Sequence, residues 1–439
     1  MNSVQIAVMG REMKKIFIGL AVIMGAAIII GAGWFYRPWS DYSPAEIQAA
    51  TQPERLVETF SNMGDVFPYR AINSTESARE LQRNLQPATV GYRLGDADRT
   101  VEDWMDDSDT TGLMVIHNGE VVHEIYRLGA DADTRHTSWS VGKSFVATLI
   151  AMAMQDGRIA NLDQSAEMFA PQYGGSDYGD TTLRHLLMMS AGMDFEEDYN
   201  APNSDIRRLF LGANIYGQNI DGLVSEIERN RAPGEDLHYV SANTQVLSAV
   251  VRGVYNDNLA NIVQERIWQP LGMTGEAYWN QNIPGENGMA IGYCCLNATL
   301  EDYARFGQFY LQDGIWDGER LLPEGWVTQA TRPNAPFQEA GPNSVYPHRG
   351  YGLHFWVPEN HDGEYFMAGV YGQYVWVDER RNVVIARTAA DTEWGGRTEE
   401  SIIAMRALAA HYGDAVTAEP TPVEPVMQED ETGGEDEQD

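Results

Sequence analysis

Cysteine is close to absent: the 439 residues contain two, Cys294 and Cys295, and they are neighbours. Adjacent cysteines rarely reach relaxed disulfide geometry, so no disulfide framework is expected. The pair reads as two small buried residues that say little about redox compartment. Basic residues are also scarce, 30 Lys and Arg against 64 Asp and Glu, a formal charge of −34. That balance excludes a nucleic-acid partner and favours solubility. Nine histidines are scattered without an H-E-x-x-H or Cys-x-x-Cys pattern, so no metal site is expected, and no cofactor.

What is present is a large apolar complement, 43% hydrophobic and 10% aromatic, enough to bury a core across two or three compact units. The acidic excess is concentrated at one place. Residues 419–439, "EPTPVEPVMQEDETGGEDEQD", hold nine acidic residues and no basic ones, and 413–439 reads as a solvated tail that cannot offset its ordering entropy by burial. At the other end, Ile16 to Tyr36 is 21 residues without a charge. As a helix it spans about 30 Å, one bilayer core. Arg11, Lys14 and Lys15 precede it, which orients residues 1–37 as a cytoplasmic stub and membrane anchor with the rest exported to a periplasmic or extracellular space. A cleaved signal ending near Gly31-Ala32-Gly33, giving a secreted protein, is the competing reading.

Residues 38–108 are polar and mixed, with helical stretches expected near Pro44 to Phe60 and Thr75 to Leu85. Two β-rich runs then flank Asn118-Gly119, a hairpin signal because both residues tolerate positive φ. A helix from about Ser140 to Gln155 follows, stopped by Asp156-Gly157. Near the other end, two more strands surround Asp378 to Asn382, and "TEESIIAMRALAAHY" reads as a closing amphipathic helix. This order implies one antiparallel sheet built from 109–165 and 348–412, interrupted by an all-helical insertion over 166–347.

The helix carrying the chemistry begins "HTSWSVGKSF", His136 to Phe145. A phosphate loop would need glycine at Thr137, five residues before Gly142, so Gly142-Lys143-Ser144 is not one. Ser140 and Lys143, three apart, share a helix face, and a lysine partly desolvated there can accept the serine proton. Taken alone, Ser-x-x-Lys is more often an ordinary stretch of core helix. "LHYVSANTQVL" adds Tyr239 and Ser241, and a tyrosine near the lysine ammonium is expected to favour its phenolate and act as a general base. "MAGVYGQYVWVD" adds glycines at the start of a strand, where a backbone N–H can approach a bound oxygen.

With these motifs in that order, the chain resembles the class C β-lactamase-like serine hydrolases, a group that includes D-alanyl-D-alanine carboxypeptidases, esterases and 6-aminohexanoate-dimer hydrolase. The resemblance runs from about Asp109 to His411 through "SWSVGKSF", "TLRHLLMMSAGMDF", "HYVSANTQVL", "IGYCCLNATLEDYARFGQFYLQDG", "YGLHFWV" and "GQYVWVDERRNVVIAR". It implies an α+β, β-lactamase/transpeptidase-like fold, an antiparallel sheet flanked by helices with a mainly helical inserted domain. By resemblance, Ser140 is the acylated nucleophile, Lys143 and Tyr239 share the proton work, and Ser241 orients them or the substrate. The backbone N–H groups of Ser140 and Val370 form the oxyanion hole, and Tyr199 in "DFEEDYN" caps the substrate. The lysine of the family's Lys-Thr-Gly strand is replaced by Met367. That loss of a carboxylate-binding cation turns the expected substrate towards neutral esters or amides and away from penicillin-like molecules. The partners implied are a small ester, amide or peptide substrate and a membrane. The alternatives are carboxypeptidase or β-lactamase activity, and a catalytically silent, membrane-tethered protein that binds cell-wall peptides.

Overall fold

The computed structural model describes residues 3–40, 42–75 and 78–414, so the acidic run beginning at Glu419 lies outside the described residues. The first helix, α1 (Ser3–Tyr36), contains the uncharged run. Its segment Arg11–Tyr36 is long and apolar enough to cross a membrane, a test that a signal sequence also passes. Ile28, Ile29 and Ile30 lie exposed on it, so this part of the helix contributes nothing to the protein core.

The centre of the molecule is a seven-stranded antiparallel sheet of β1 (Thr110–His117), β2 (Glu120–Tyr126), β3 (Arg349–Tyr351), β4 (Trp356–Pro358), β5 (Glu364–Gly369), β6 (Gln373–Asp378) and β7 (Val383–Ala389). Their spatial order is β3-β4-β5-β6-β7-β1-β2, so the early hairpin joins the late strands where β7 pairs with β1, Val384 opposite Ile116. Both expected turns form, with positive φ at Asn118 (53°), Gly119 (82°) and Asn382 (55°).

Strand alternation divides the core into two layers. Met114, Ile116, Val375, Val377, Val384 and Ala386 share one core with Phe306 and Phe309. Those two phenylalanines lie on α6 (Leu300–Leu311). A Cβ on Gly307 of that helix would stand 2.5 Å from Val384, so glycine is what lets the helix lie flat on the sheet. Leu113, Val115, Trp376 and Ile385 point the other way, towards Trp104 and towards Met405 and Leu408 of α7 (Thr398–Tyr412), the expected closing helix.

The helix α3 (Gly142–Gln155) is buried over almost its whole length, its Phe145 stacked on Phe306 at 3.7 Å. A second, four-stranded sheet places His136–Thr137 against Leu296–Ala298. This pairing brings the turn before α3 beside the Tyr293–Cys295 segment.

Two expectations need correction. Residues 78–85 are extended, not helical: Val121 N–H donates to the Gln82 carbonyl and Asn84 N–H to the Val121 carbonyl, so the segment runs along β2 at the edge of the sheet. Nor is 166–347 all-helical. It contains strands Ala277–Asn280 and Leu296–Ala298 and the small hairpin Ile315–Trp316 with Glu319–Arg320. These short strands escape periodicity because two to four residues complete no alternation.

Candidate active site

After the strand His136–Thr137, the chain makes one 3-10 turn, Trp139–Val141, before α3 begins at Gly142. Ser140 therefore stands in the turn ahead of the helix and Lys143 in its first turn. Trp139 holds φ at 43°, a conformation that a bulky residue adopts only when its surroundings impose it. Gly142 fits a tight space: a Cβ there would lie 3.0 Å from Ser138 Oγ and 3.4 Å from the Cys294 backbone. Cys294 and Cys295 are both buried and are joined to each other by a disulfide, against the expectation of free thiols, with Cys295 at φ 76°.

Lys143 is 2% exposed. Its Nζ donates to Ser140 Oγ at 3.0 Å and to the Tyr293 carbonyl at 2.7 Å. Burial pulls its pKa down to about 8, with Glu197 working in the opposite direction. Nζ lies 5.2 Å from the centre of the Tyr239 ring, which stacks on Trp356 at 5.5 Å. The Tyr239 phenol is held well above its ordinary pKa, first by burial and then by the Glu197 carboxylate, while its hydrogen bond to Ser140 opposes both. Burial and the Glu197 charge both favour the protonated phenol, opposite in direction to the phenolate expected from a neighbouring ammonium.

Ser241 opens α5 (Ser241–Tyr255). Its N–H donates to Glu197 Oε2 at 2.8 Å and its hydroxyl donates to Glu197 Oε1. Tyr199 donates to the same carboxylate at 2.6 Å and meets Trp394 edge-on at 6.1 Å. Glu197 is the organising group that sequence reasoning missed. It lay in plain view in "DFEEDYN", two residues before Tyr199, where acidic loop residues read as solvated.

Val370 follows β5 directly. A Cβ on Gly369 would fall 2.6 Å from the Ser138 carbonyl and 3.1 Å from the Ser140 amide nitrogen, so glycine is required for the end of β5 to close on the nucleophile turn. Ser140, Tyr199 and Val370 line two cavities of about 570 and 580 Å³. The first also holds Tyr239 and the second Lys143 and Ser241, so all six expected site residues border this space. A larger cavity of about 790 Å³, between Tyr42 and Arg135, contains none of them.

Residues 97–410 match the sequence model of the beta-lactamase family. The chain belongs to the beta-lactamase family. Within this beta-lactamase family it is similar to the 6-aminohexanoate-dimer hydrolase of Paenarthrobacter ureafaciens, 26% identical over 340 residues, 75% of this chain and 84% of that protein. Its fold matches a Bacillus anthracis protein provisionally assigned as a 6-aminohexanoate-dimer hydrolase, with a TM-score of 0.72 and 24% identity over 82% of this chain and 95% of the other. It also matches EstCE1, a hydrolase with promiscuous acyltransferase activity, with a TM-score of 0.56 and 17% identity over 70% and 96% of the two chains. These matches show a beta-lactamase/transpeptidase-like fold of mixed helix and antiparallel sheet, with a hydrolase among the chain's relatives.

Proposed function

We propose that this protein hydrolyses ester or amide bonds through an acyl-enzyme on Ser140. The observation that carries the reading is the 3.0 Å contact between Ser140 Oγ and a fully buried Lys143 whose pKa is drawn down to about 8. About a tenth of the amine is therefore neutral at pH 7, against less than a thousandth for an ordinary lysine, and it is placed to take the serine proton. Ser140 Oγ attacks the substrate carbonyl, and the resulting oxyanion is received by the Ser140 and Val370 N–H groups. The Tyr239 phenol gives its proton to the leaving oxygen or nitrogen and regains one from the proton that Lys143 took up. Water then attacks the acyl carbon, the proton transfers run in reverse, and the free Ser140 hydroxyl and the acid are released. Ser241 and Tyr199, both held by Glu197, shape the substrate wall. The helix α1 anchors the enzyme with its catalytic part on the exported side. The experiment is intact-mass and peptide-mass analysis after treatment with a fluorophosphonate, expected to place one adduct on Ser140; a folded protein that gains no adduct there defeats the reading.

A further inference from the structure

Ser140 is approached from two sides of different character. The cavity beside Tyr239 carries four charged side chains, Glu197, Asp198, Arg349 and Glu393, among aromatic ones such as Trp356 and Trp394, and is the more polar of the two. The other, about 580 Å³, runs from Ser140 and Lys143 past Ile206, Phe210 and Ile215 to Trp34 and Phe35 at the end of α1. That end is fastened to the wall of the cavity. Trp34 stacks on Tyr216 at 5.7 Å, and Arg37 Nη2 donates to the Ile215 carbonyl at 3.0 Å. Ile215 and Tyr216 follow directly on α4 (Asp205–Asn214), whose Leu211 borders the cavity while remaining 43% exposed.

The apolar cavity is therefore continuous with the aromatic end of the helix that is able to cross a membrane, where Trp34, Tyr36 and Trp39 are all exposed. Aromatic residues at such a position mark the bilayer interface. A channel that starts there and ends at a nucleophile is placed to receive a hydrocarbon chain without first moving it through bulk water.

We propose that this cavity is an acyl-chain subsite, and that the preferred substrate is an amphiphilic ester or amide whose tail enters from the membrane surface along α1. The proposal rests on the Ser140 acyl-enzyme reading and gives that site a substrate class. The tail lies between α4 and the end of α1, its carbonyl reaches Ser140, and the polar leaving group occupies the cavity beside Tyr239. Each methylene moved from water into such a site is worth about a fourfold gain in kcat/KM.

The test uses the full chain reconstituted in zwitterionic phospholipid vesicles, with p-nitrophenyl acetate, hexanoate and laurate as substrates and Ser140→Ala as blank. The ratio of laurate to acetate kcat/KM is expected to exceed about a hundred in the wild type. Leu211→Arg and Phe210→Ser are each expected to lower that ratio more than tenfold. Because the ratio is taken within each variant, loss of folded protein cancels from it. Diluting laurate ester in the vesicle with inert lipid, at constant bulk concentration, is expected to slow its turnover and leave acetate unaffected. A flat chain-length profile that still depends on Ser140, or a laurate rate insensitive to surface dilution, overturns the subsite and leaves the acyl-enzyme reading standing. Turnover that persists in Ser140→Ala overturns both.

Discussion

The rings of Trp139 and Tyr371 meet with centroids 5.6 Å apart, and both residues hold their backbone at positive φ, 43° and 61°. One precedes the nucleophile and the other follows Val370, so the two unusual turns that bring the proposed oxyanion donors together are pinned through a shared aromatic contact. Phe60, in the short helix α2 (Leu56–Ser61), completes it, lying 5.3 Å from Trp139 and 4.9 Å from Tyr371. A segment with no legible role in the sequence thereby packs against both turns.

Phe60→Ala is expected to lower stability by about 3 kcal/mol, the usual cost of removing a buried phenylalanine. It should also reduce kcat more than it raises KM, because the turns lose their clamp. Thermal unfolding and steady-state ester kinetics on the same preparation check this. Lost stability with kcat intact would separate the packing from the catalysis.

Gly369→Ala places a methyl group 2.6 Å from the Ser138 carbonyl and must push β5 away from the nucleophile turn. Loss of one oxyanion donor costs about a hundredfold or more in kcat. The expected result is a fall of that order with an unchanged circular dichroism spectrum.

The pH dependence follows from Lys143. Only the neutral amine accepts the serine proton, so kcat/KM should rise with pH and level off above about 8. The same shift affects stability. The folded-state pKa lies below the unfolded value near 10.5, so between about pH 8 and 10.5 the unfolded chain holds more protons and this group's destabilisation is relieved as pH rises. The full effect is about 3 kcal/mol. Denaturant titrations of the wild type and Lys143→Met at pH 7.5 and 10 should differ by an amount of that order.

Glu197→Gln removes the charge that raises the Lys143 pKa and that helps hold the Tyr239 phenol up. The acid limb of the pH profile should move to lower pH, by less than about one unit given the partial exposure of Glu197. KM should rise because Ser241 and Tyr199 lose an ionised acceptor. A pH–rate series shows whether the limb moves; an unmoved limb means the carboxylate acts only on geometry.

These residues also mark how far the sequence could be read. Ser140 and Lys143 were legible because three-residue spacing is a local rule, and the Asn118-Gly119 hairpin because turn chemistry is local. The closing helix and the antiparallel sheet followed from periodicity. Glu197 was not legible: it meets Ser241, 44 residues on, only because the loop folds over the start of α5. For Tyr239 the sequence shows the neighbouring lysine but not the burial, which favours the protonated phenol. The contacts of Phe60 and the extended course of 78–85 were hidden for the same reason, since both depend on surfaces supplied by distant residues.

The pairing of Ile116 with Val384 has a consequence for timing. A ribosome that has already made Ser140, Lys143 and Tyr239 has not yet made Val370, β6 or β7, and β1 has no inner neighbour until the last of these emerges. Closing a loop of that length is slow. A chain that ends before Val370 therefore carries the proposed nucleophile, base and phenol without the second proposed oxyanion donor.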